Sequence, residues 1–368
     1  MDKVLIYYGS KEKFNQIIPK RYRNLTDLVY ESDKDRKTMK LILPNSDGGY
    51  PKEEKEEKVV VQDFVISSDE YAGVREHVIV NFINFLSKFD VGNLYIQNPP
   101  LQISEQIIRL YPETEVKSQK YKRLNNSHLS KIYDNYDENI IGQENVKIEL
   151  LQALFPLTLK YRRKPVVLLL YGKSGIGKTE TAKYLSKVIG EPLFRKQFSM
   201  YQNNQFATYL FGGAHYEKSF AKDLLDRKSN VLLLDEFDKA HPSFHSAFYQ
   251  LFDEGIYEDQ NYYLTLKQSI IICTSNYTDL KDIEEHLGSA IYNRFDKIIH
   301  FEDLTSESKI KIGQKSFNEY TKHFNYCLDE ETKKRLEASY AQCENVRQIN
   351  HLIENTFALS TILAKVKK

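Results

Sequence analysis

"VLLLYGKSGIGKTE", residues 167 to 180, decides the fold. An unbroken apolar run stops at glycines and gives way to a lysine and a threonine. Four to eight consecutive apolar residues bounded by a turn fit a strand buried on both faces. The glycines after it allow the backbone to curl so that its N–H groups point inward. The segment "TETAKYLSKVI" that follows has helical spacing, and the start of a helix favours negative charge. Strand, glycine turn and helix together form a phosphate-binding loop, with the spacing Gly172-x-x-x-x-Gly177-Lys178-Thr179. Residues Gly172, Lys173, Ser174, Gly175, Ile176, Gly177, Lys178, Thr179 and Glu180 are therefore candidate nucleotide-binding residues. Lys178 is expected to reach the outer phosphates of ATP, and the Thr179 hydroxyl to hold Mg²⁺.

Further along, "VLLLDEFD" (231–238) is a second buried strand ending in two carboxylates. Asp235, at the strand's carboxyl end, is positioned for the magnesium shell. Glu236 is positioned to take a proton from an attacking water. Strands are also expected at 193–200, 269–276 and 296–301. With helical patterns between them, they make a doubly wound parallel sheet. An amphipathic helix, "NIIGQENVKIELLQALFPL", precedes it. From Glu302 onward only helical spacing remains.

The first part of the chain is also α/β. Strands are expected at 3–9, 37–44, 58–67 and 93–100, and a short helix at 103–112. A long helix is expected over 68–89, capped by Ser68 or Asp69. "NSDGGYPKEEKEEK" (45–58) reads as a turn at Asp47, Gly48 and Gly49, then a solvated charge run after Pro51. "SQKYKRLNNSHLSK" (118–131) reads as a polar hinge. The expected division is a small α/β domain over 1–120, a linker over 121–135, a large α/β domain over 136–302 and a helical domain over 303–368.

Composition excludes several classes. Fifty-two basic and 51 acidic residues leave a net charge of +1, so no overall field draws the chain to nucleic acid or to a membrane. Cys273, Cys327 and Cys343 are too few for a disulfide framework and suit a reducing, cytoplasmic setting. The apolar run in "MDKVLIYYGSK" is too short for a leader or a span. His241 and His245 are four apart, but no third ligand accompanies them, and a turn and core reading suits them better than a metal face. No Gly-x-Ser-x-Gly elbow is present.

Over residues 130 to 365 the sequence resembles the AAA+ ATPases, and within them the second ATPase module of the Clp ring unfoldases and disaggregases. The similarity rests on "NIIGQENV", "GKSGIGKTETAKYLS", "RKQFSMY", "LLLDEFDKAHPSFHSAFYQLFDEG", "IIICTSNY", "NRFDKIIHF" and "NVRQINHLIE". It implies an AAA+ doubly wound sheet with a C-terminal helical lid, ATP and Mg²⁺ as cofactors, and a homo-oligomeric ring, hexameric in the family. It further implies that Ile140 and Ile141 line the adenine pocket and that Asn276 orients the lytic water. By the same resemblance Arg294 is an arginine finger for a neighbouring subunit, and Arg347 a lid arginine sensing the γ-phosphate. Asn345-Val346-Arg347 stands where the family usually has Gly-Ala-Arg. The resemblance does not extend to residues 1–120.

The family grips polypeptide with a Gly-aromatic-Val-Gly loop. The matching region, "YLFGGAHYEKSFAKDLL" (209–225), is shorter and lacks that motif. Tyr216, beside His215, is the aromatic residue placed to substitute. Little room remains between Asn276 and Arg294 for a loop that docks the Clp peptidase. Three functions stay open: a ring that remodels protein clients recruited by the N-terminal domain, a nucleotide-gated assembly switch signalling through that domain, and a nucleic-acid motor or loader. Near-zero net charge argues against the third.

Overall fold

The computed structural model describes residues 1–37, 58–159, 161–200, 205–323 and 328–366. The strand expected over 37–44, the loop expected over 45–58 and Cys327 lie outside these residues, apart from the end positions Lys37 and Lys58. Twelve strands occur among the described residues: β1 (Lys3–Tyr8), β2 (Arg23–Asn24), β3 (Val59–Ile66), β4 (Phe89–Gln97), β5 (Glu115–Ser118), β6 (Val166–Tyr171), β7 (Phe194–Gln197), β8 (Val231–Asp235), β9 (Ile256–Glu258), β10 (Tyr263–Thr265), β11 (Ile270–Ser275) and β12 (Lys297–His300). No described helix is long and apolar enough to cross a membrane.

The chain forms two compact units. The first contains 1–121 together with 203–228 and 257–265. The domain expected over 1–120 thus gains two segments from the second half of the sequence. Its sheet runs in the order β2-β3-β4-β1-β5, and every pair is parallel. Successive residues of β1 and β3 point to opposite faces. Ile6, Phe64 and Ile66 pack on one side with Phe82, Leu94, Ile96, Ile103 and Ile107. Leu5, Tyr7 and Val65 pack on the other with Phe14 and Tyr95. In the added segments, Phe220 meets Tyr257 edge-on at 5.1 Å, and the Tyr257 hydroxyl donates to the Leu210 carbonyl at 2.6 Å.

The long helix expected over 68–89 is a correction. It is divided into a 3₁₀ turn at Glu70–Gly73 and helices at Glu76–Val80 and Phe82–Leu86. Val74 and Arg75 are extended, with ψ of 149° at both, and Asn81 sits at φ −116°, ψ 42°. Asp69 makes no cap hydrogen bond and pairs instead with Lys11 at 2.8 Å. The stretch expected as a linker, 121–135, is also different. The helix Asn126–Asn139 begins within it, capped by the Asn125 side chain, which accepts from His128 N at 3.0 Å. Its buried Tyr136 lies edge-on to Tyr184 at 5.8 Å.

The second unit contains 122–202, 229–256 and 266–368. Its sheet runs in the order β12-β6-β11-β8-β7, again parallel throughout. β6 and β11 are buried at every position, as continuous apolar runs in the middle of a parallel sheet should be. The helices Glu144–Leu154 and Lys178–Ile189 pack against it through Leu150, Leu154, Leu185 and Ile189. Three helices follow, Ser306–His323, Glu330–Tyr340 and Val346–Val366, around Leu336, Tyr340, Ile349, Ile353 and Phe357.

Candidate nucleotide site

The loop after β6 folds as its glycines require. Gly172, Gly175 and Gly177 have φ of 130°, 76° and 118°, a region that strains any residue with a Cβ. At Gly172 a Cβ would also lie 2.4 Å from the Phe301 carbonyl oxygen. The loop opens into the helix Lys178–Ile189, so the helix's first N–H groups face the same space as the loop amides.

Lys178 is only 6% exposed. Its ammonium donates to the carbonyls of Gly172 (2.5 Å) and Lys173 (2.6 Å) and to Asn276 Oδ1 (3.2 Å). Burial lowers its pKa to about 8, against the opposing pull of Asp238 and Asp235. Lys173 points away and pairs with Asp303. Its place in the site is therefore its carbonyl, not its charge.

Asp235 ends β8, where Gln197 of β7 is its register partner. Its Oδ1 accepts from Thr274 Oγ1 at 2.6 Å, and Thr179 Oγ1 lies 3.5 Å away. Its Oδ2 is held by Arg195, through Nη2 and through Nε at 3.1 Å. Glu236, the next residue, is left-handed at φ 55°, a conformation that costs a non-glycine residue about 1 kcal/mol or more. Its N–H donates to Thr274 Oγ1 at 2.8 Å, and Gln197 Nε2 donates to its Oε2 at 3.1 Å. Arg195, Gln197 and Thr274 were assigned no role by sequence reasoning. The segment "RKQFSM" contains the first two, but only strand pairing reveals what they touch.

A cavity of about 550 Å³ joins these groups. Ser174 to Glu180, Asp235, Glu236 and Asn276 line it together with Ile140, Ile141, Ile312, Val346 and Arg347. The lining thus combines charged and polar groups with a set of aliphatic side chains. That combination matches a nucleotide, whose phosphates are anionic and whose base is flat and largely apolar. One carboxylate with two threonine hydroxyls beside it is an oxygen donor set of the kind Mg²⁺ takes. The residues present thus fit both ATP and Mg²⁺. Among the described residues no group of three His, Cys, Asp or Glu side chains forms a metal centre. His245 is buried and stacks on Phe237 at 5.1 Å, with Nδ1 3.2 Å from the Leu287 carbonyl.

Two expected residues are not among those that line this cavity. Arg294 does not line it. Its Nε donates to Asp253 at 2.8 Å, and its guanidinium covers the Tyr249 ring at 4.3 Å. Tyr216 belongs to the first unit and is 59% exposed. Its neighbour His215 is 5% exposed, with Nε2 2.8 Å from the Val74 carbonyl oxygen.

Residues 163–337 match the family model described as "AAA domain (Cdc48 subfamily)". The chain is 26% identical over 290 residues to the chaperone protein ClpB of Malacoplasma penetrans, covering 70% of this chain and 40% of that protein. It is 29% identical over 248 residues to the human mitochondrial disaggregase, covering 61% of this chain and 33% of that protein. It therefore spans well under half the length of either relative. Among solved structures, it superposes with a TM-score of 0.57 on Hsp104, determined in a closed state with ATPγS and FITC casein. That match has 21% identity and covers 82% of this chain and 61% of that one.

Proposed function

We propose that the chain acts as an AAA+ ATPase of the Clp type, binding Mg-ATP in the 550 Å³ cavity and using hydrolysis to remodel protein clients. The observation that carries this reading is the convergence of Lys178, Thr179, Asp235, Glu236 and Asn276 on one cavity. Mg²⁺ would neutralise charge on the outer phosphates. Thr179 and Asp235 are the residues to hold it, with Thr274 and Arg195 fixing the orientation of the Asp235 carboxylate. Lys178 binds the outer phosphates as an ammonium, exchanging its carbonyl partners for them. Glu236 takes the proton of the attacking water at a carboxylate oxygen, and Asn276 orients that water. Ile140 and Ile141 hold the adenine. Arg347 senses the γ-phosphate from the lid.

Arg294, outside its own subunit's cavity, serves the site of a neighbour in a homo-oligomeric ring. The first unit recruits the client, and no Clp peptidase is needed. Three cysteines and no apolar span among the described helices are consistent with a cytoplasmic protein. A second reading, a nucleotide-gated assembly switch, draws on one observation: His215, in the segment where the family grips substrate, is buried against Val74 of the N-terminal sequence.

Glu236→Gln is the decisive variant. It should retain ATP, populate the assembled oligomer and lose turnover by about 10²- to 10⁴-fold, as expected when a general base is removed. Full ATPase activity in Glu236→Gln would refute the assignment of the base. Mixing Arg294→Ala with Lys178→Ala subunits should restore part of the turnover that either lacks alone. Co-assembly without restored turnover would remove the trans-acting role. An ATPase that assembles with nucleotide yet leaves aggregated or misfolded clients unchanged would favour the switch.

A further inference from the structure

The first unit has a cleft that takes no part in the nucleotide chemistry. Its broader part, about 720 Å³, is lined by Val80, Ile83, Asn84, Gln102 and Leu110, among others. Its narrower part, about 320 Å³, is lined by Glu76, Ile79, Gln102, His215 and Gln260. Gln102 lines both parts, and Ile79 and Val80 are chain neighbours, so the two parts adjoin. All of these residues belong to the same compact unit, including those contributed by 203–228 and 257–265.

Primary amides dominate the polar lining. Those that are bonded are bonded to backbone. Gln106 accepts from Ile83 N at 3.3 Å and donates to the carbonyls of Ile79 and Gln102 at 3.2 and 2.9 Å. Asn261 Nδ2 donates to the Gly213 carbonyl at 2.8 Å. The side chains of Asn84, Gln102 and Gln260 make no hydrogen bond to other described residues. Each presents two donors and an acceptor, the complement of a peptide unit. Val80 and Leu110 are each 49% exposed at the broader end and offer apolar contact. Beyond the narrower end, Tyr216 stands edge-on to His215 at 5.5 Å.

Charge and shape select among occupants. Glu76 and Glu105 against Arg109 leave the lining at one net negative charge, which disfavours a polyanion. An amphipathic helix needs a continuous apolar groove for anchors three and four residues apart, and the amides interrupt one here. An extended chain has unpaired backbone donors and acceptors along its length, and unpaired amides with apolar neighbours satisfy both its backbone and its alternate side chains. We propose that this cleft binds an extended segment of unfolded polypeptide, with Gln102 and Gln260 hydrogen-bonding its backbone. The proposal rests on the protein-remodelling reading above and gives that reading a location.

The test uses the full chain and a fluorescein-labelled, reduced and carboxymethylated polypeptide that cannot refold, followed by anisotropy. Gln102→Leu with Gln260→Leu should weaken binding by about tenfold, as two lost hydrogen bonds predict. Basal ATPase and thermal melting should stay unchanged. Ile108→Arg, exposed on the helix Leu101–Leu110 that also carries Gln102 but outside the cleft, should leave binding unchanged. Unchanged or tighter binding in the leucine variant would overturn the cleft proposal and leave the remodelling reading standing. Wild-type protein that binds no unfolded polypeptide in any nucleotide state would overturn both. As an independent measure, a benzophenone photocrosslinker at position 102 should label the polypeptide. Labelling from position 108 but not from 102 would also overturn the proposal.

Discussion

β1 and β6 occupy corresponding places in their sheets. Each lies inside a five-stranded parallel sheet, and each runs at its carboxyl end into a glycine with positive φ: Gly9 at 152° and Gly172 at 130°. Parallel sheets leave a crevice at such ends. After β1 the crevice is closed by the protein's own side chains. Asn98 Oδ1 accepts from Gly9 N at 2.8 Å, and the Asn98 and Gln97 amides donate to the Gly9 carbonyl at 2.9 and 2.8 Å. Gln119 Oε1 accepts from both the Ser10 N–H and its hydroxyl, at 2.8 and 2.7 Å. The helix that follows has only four residues, Lys11–Phe14. After β6 the loop is longer and the helix that follows has twelve residues. There the Lys178 ammonium gives its donors to the loop carbonyls and Asn276, partners that phosphate oxygens can replace. At β1 neighbouring side chains lock the backbone of the turn, whereas at β6 the turn presents an exchangeable cation.

The largest expected effect tests that contrast directly. Lys178→Ala removes the ammonium that meets the outer phosphates. Two charge-assisted hydrogen bonds at roughly 1.5–3 kcal/mol each correspond to a loss of about 10²- to 10⁴-fold in ATP affinity. Asn98→Ala, in the turn after the first unit's strands, should leave ATP affinity within about twofold, since Asn98 does not line the nucleotide cavity. Titration calorimetry with ATP on both variants gives the answer. Comparable losses from the two would mean that the first unit's strand ends also serve the nucleotide.

The middle effect concerns stability. A Cβ at Gly9 would lie 2.5 Å from Gln119 Cβ and 2.9 Å from its Oε1. Gly9→Ala must therefore displace Gln119, which bonds Ser10. Overpacking of this kind costs about 1–3 kcal/mol. Chemical denaturation should show that loss, with the ATP dissociation constant unaltered. A variant as stable as the wild type would show that the closed crevice is loose, and the contrast with β6 would lose its physical basis.

The two regions also differ in how far sequence reveals them. The centre of the second unit's sheet was readable because β6, β8 and β11 are buried at every position, so each appears as an apolar run broken by a turn. That Lys178, Thr179, Asp235 and Glu236 share one cavity was readable because two local segments carry them. Arg195, Gln197 and Thr274 were not. They meet Asp235 and Glu236 through the pairing of β7 and β8 and the proximity of β11, about 40 residues apart in sequence. The helix expected over 68–89 kept its apolar spacing, but extended backbone at Val74 and Arg75 divides it. Helical periodicity carries no sign of such a break. The membership of 203–228 and 257–265 in the first unit was invisible for a similar reason. The bond from His215 to Val74 spans 141 residues.

The smallest effect separates the two units by pH. Burial lowers the pKa of Lys178 to about 8 and lowers that of Lys222, in the first unit, as well. A lysine lowered in the folded state is charged less readily there than in the unfolded chain. For Lys178 the unfolded chain binds more protons between about pH 8 and the ordinary lysine value, so folding stability without nucleotide rises with pH across that window. ATP affinity must run the other way. Only the ammonium attracts phosphate, so above about pH 8 each binding event must first protonate the amine. The dissociation constant should then increase up to tenfold per pH unit, about 1.4 kcal/mol, and stay flat in this respect between pH 6.5 and 7.5. Both lysines contribute to the stability slope, but only Lys178 belongs to the nucleotide cavity. Lys222→Met should therefore keep the affinity slope and Lys178→Met should lose it, in titrations at pH 7, 8 and 9 with magnesium fixed. A slope that survives in Lys178→Met, or disappears in Lys222→Met, would assign the titrating group elsewhere.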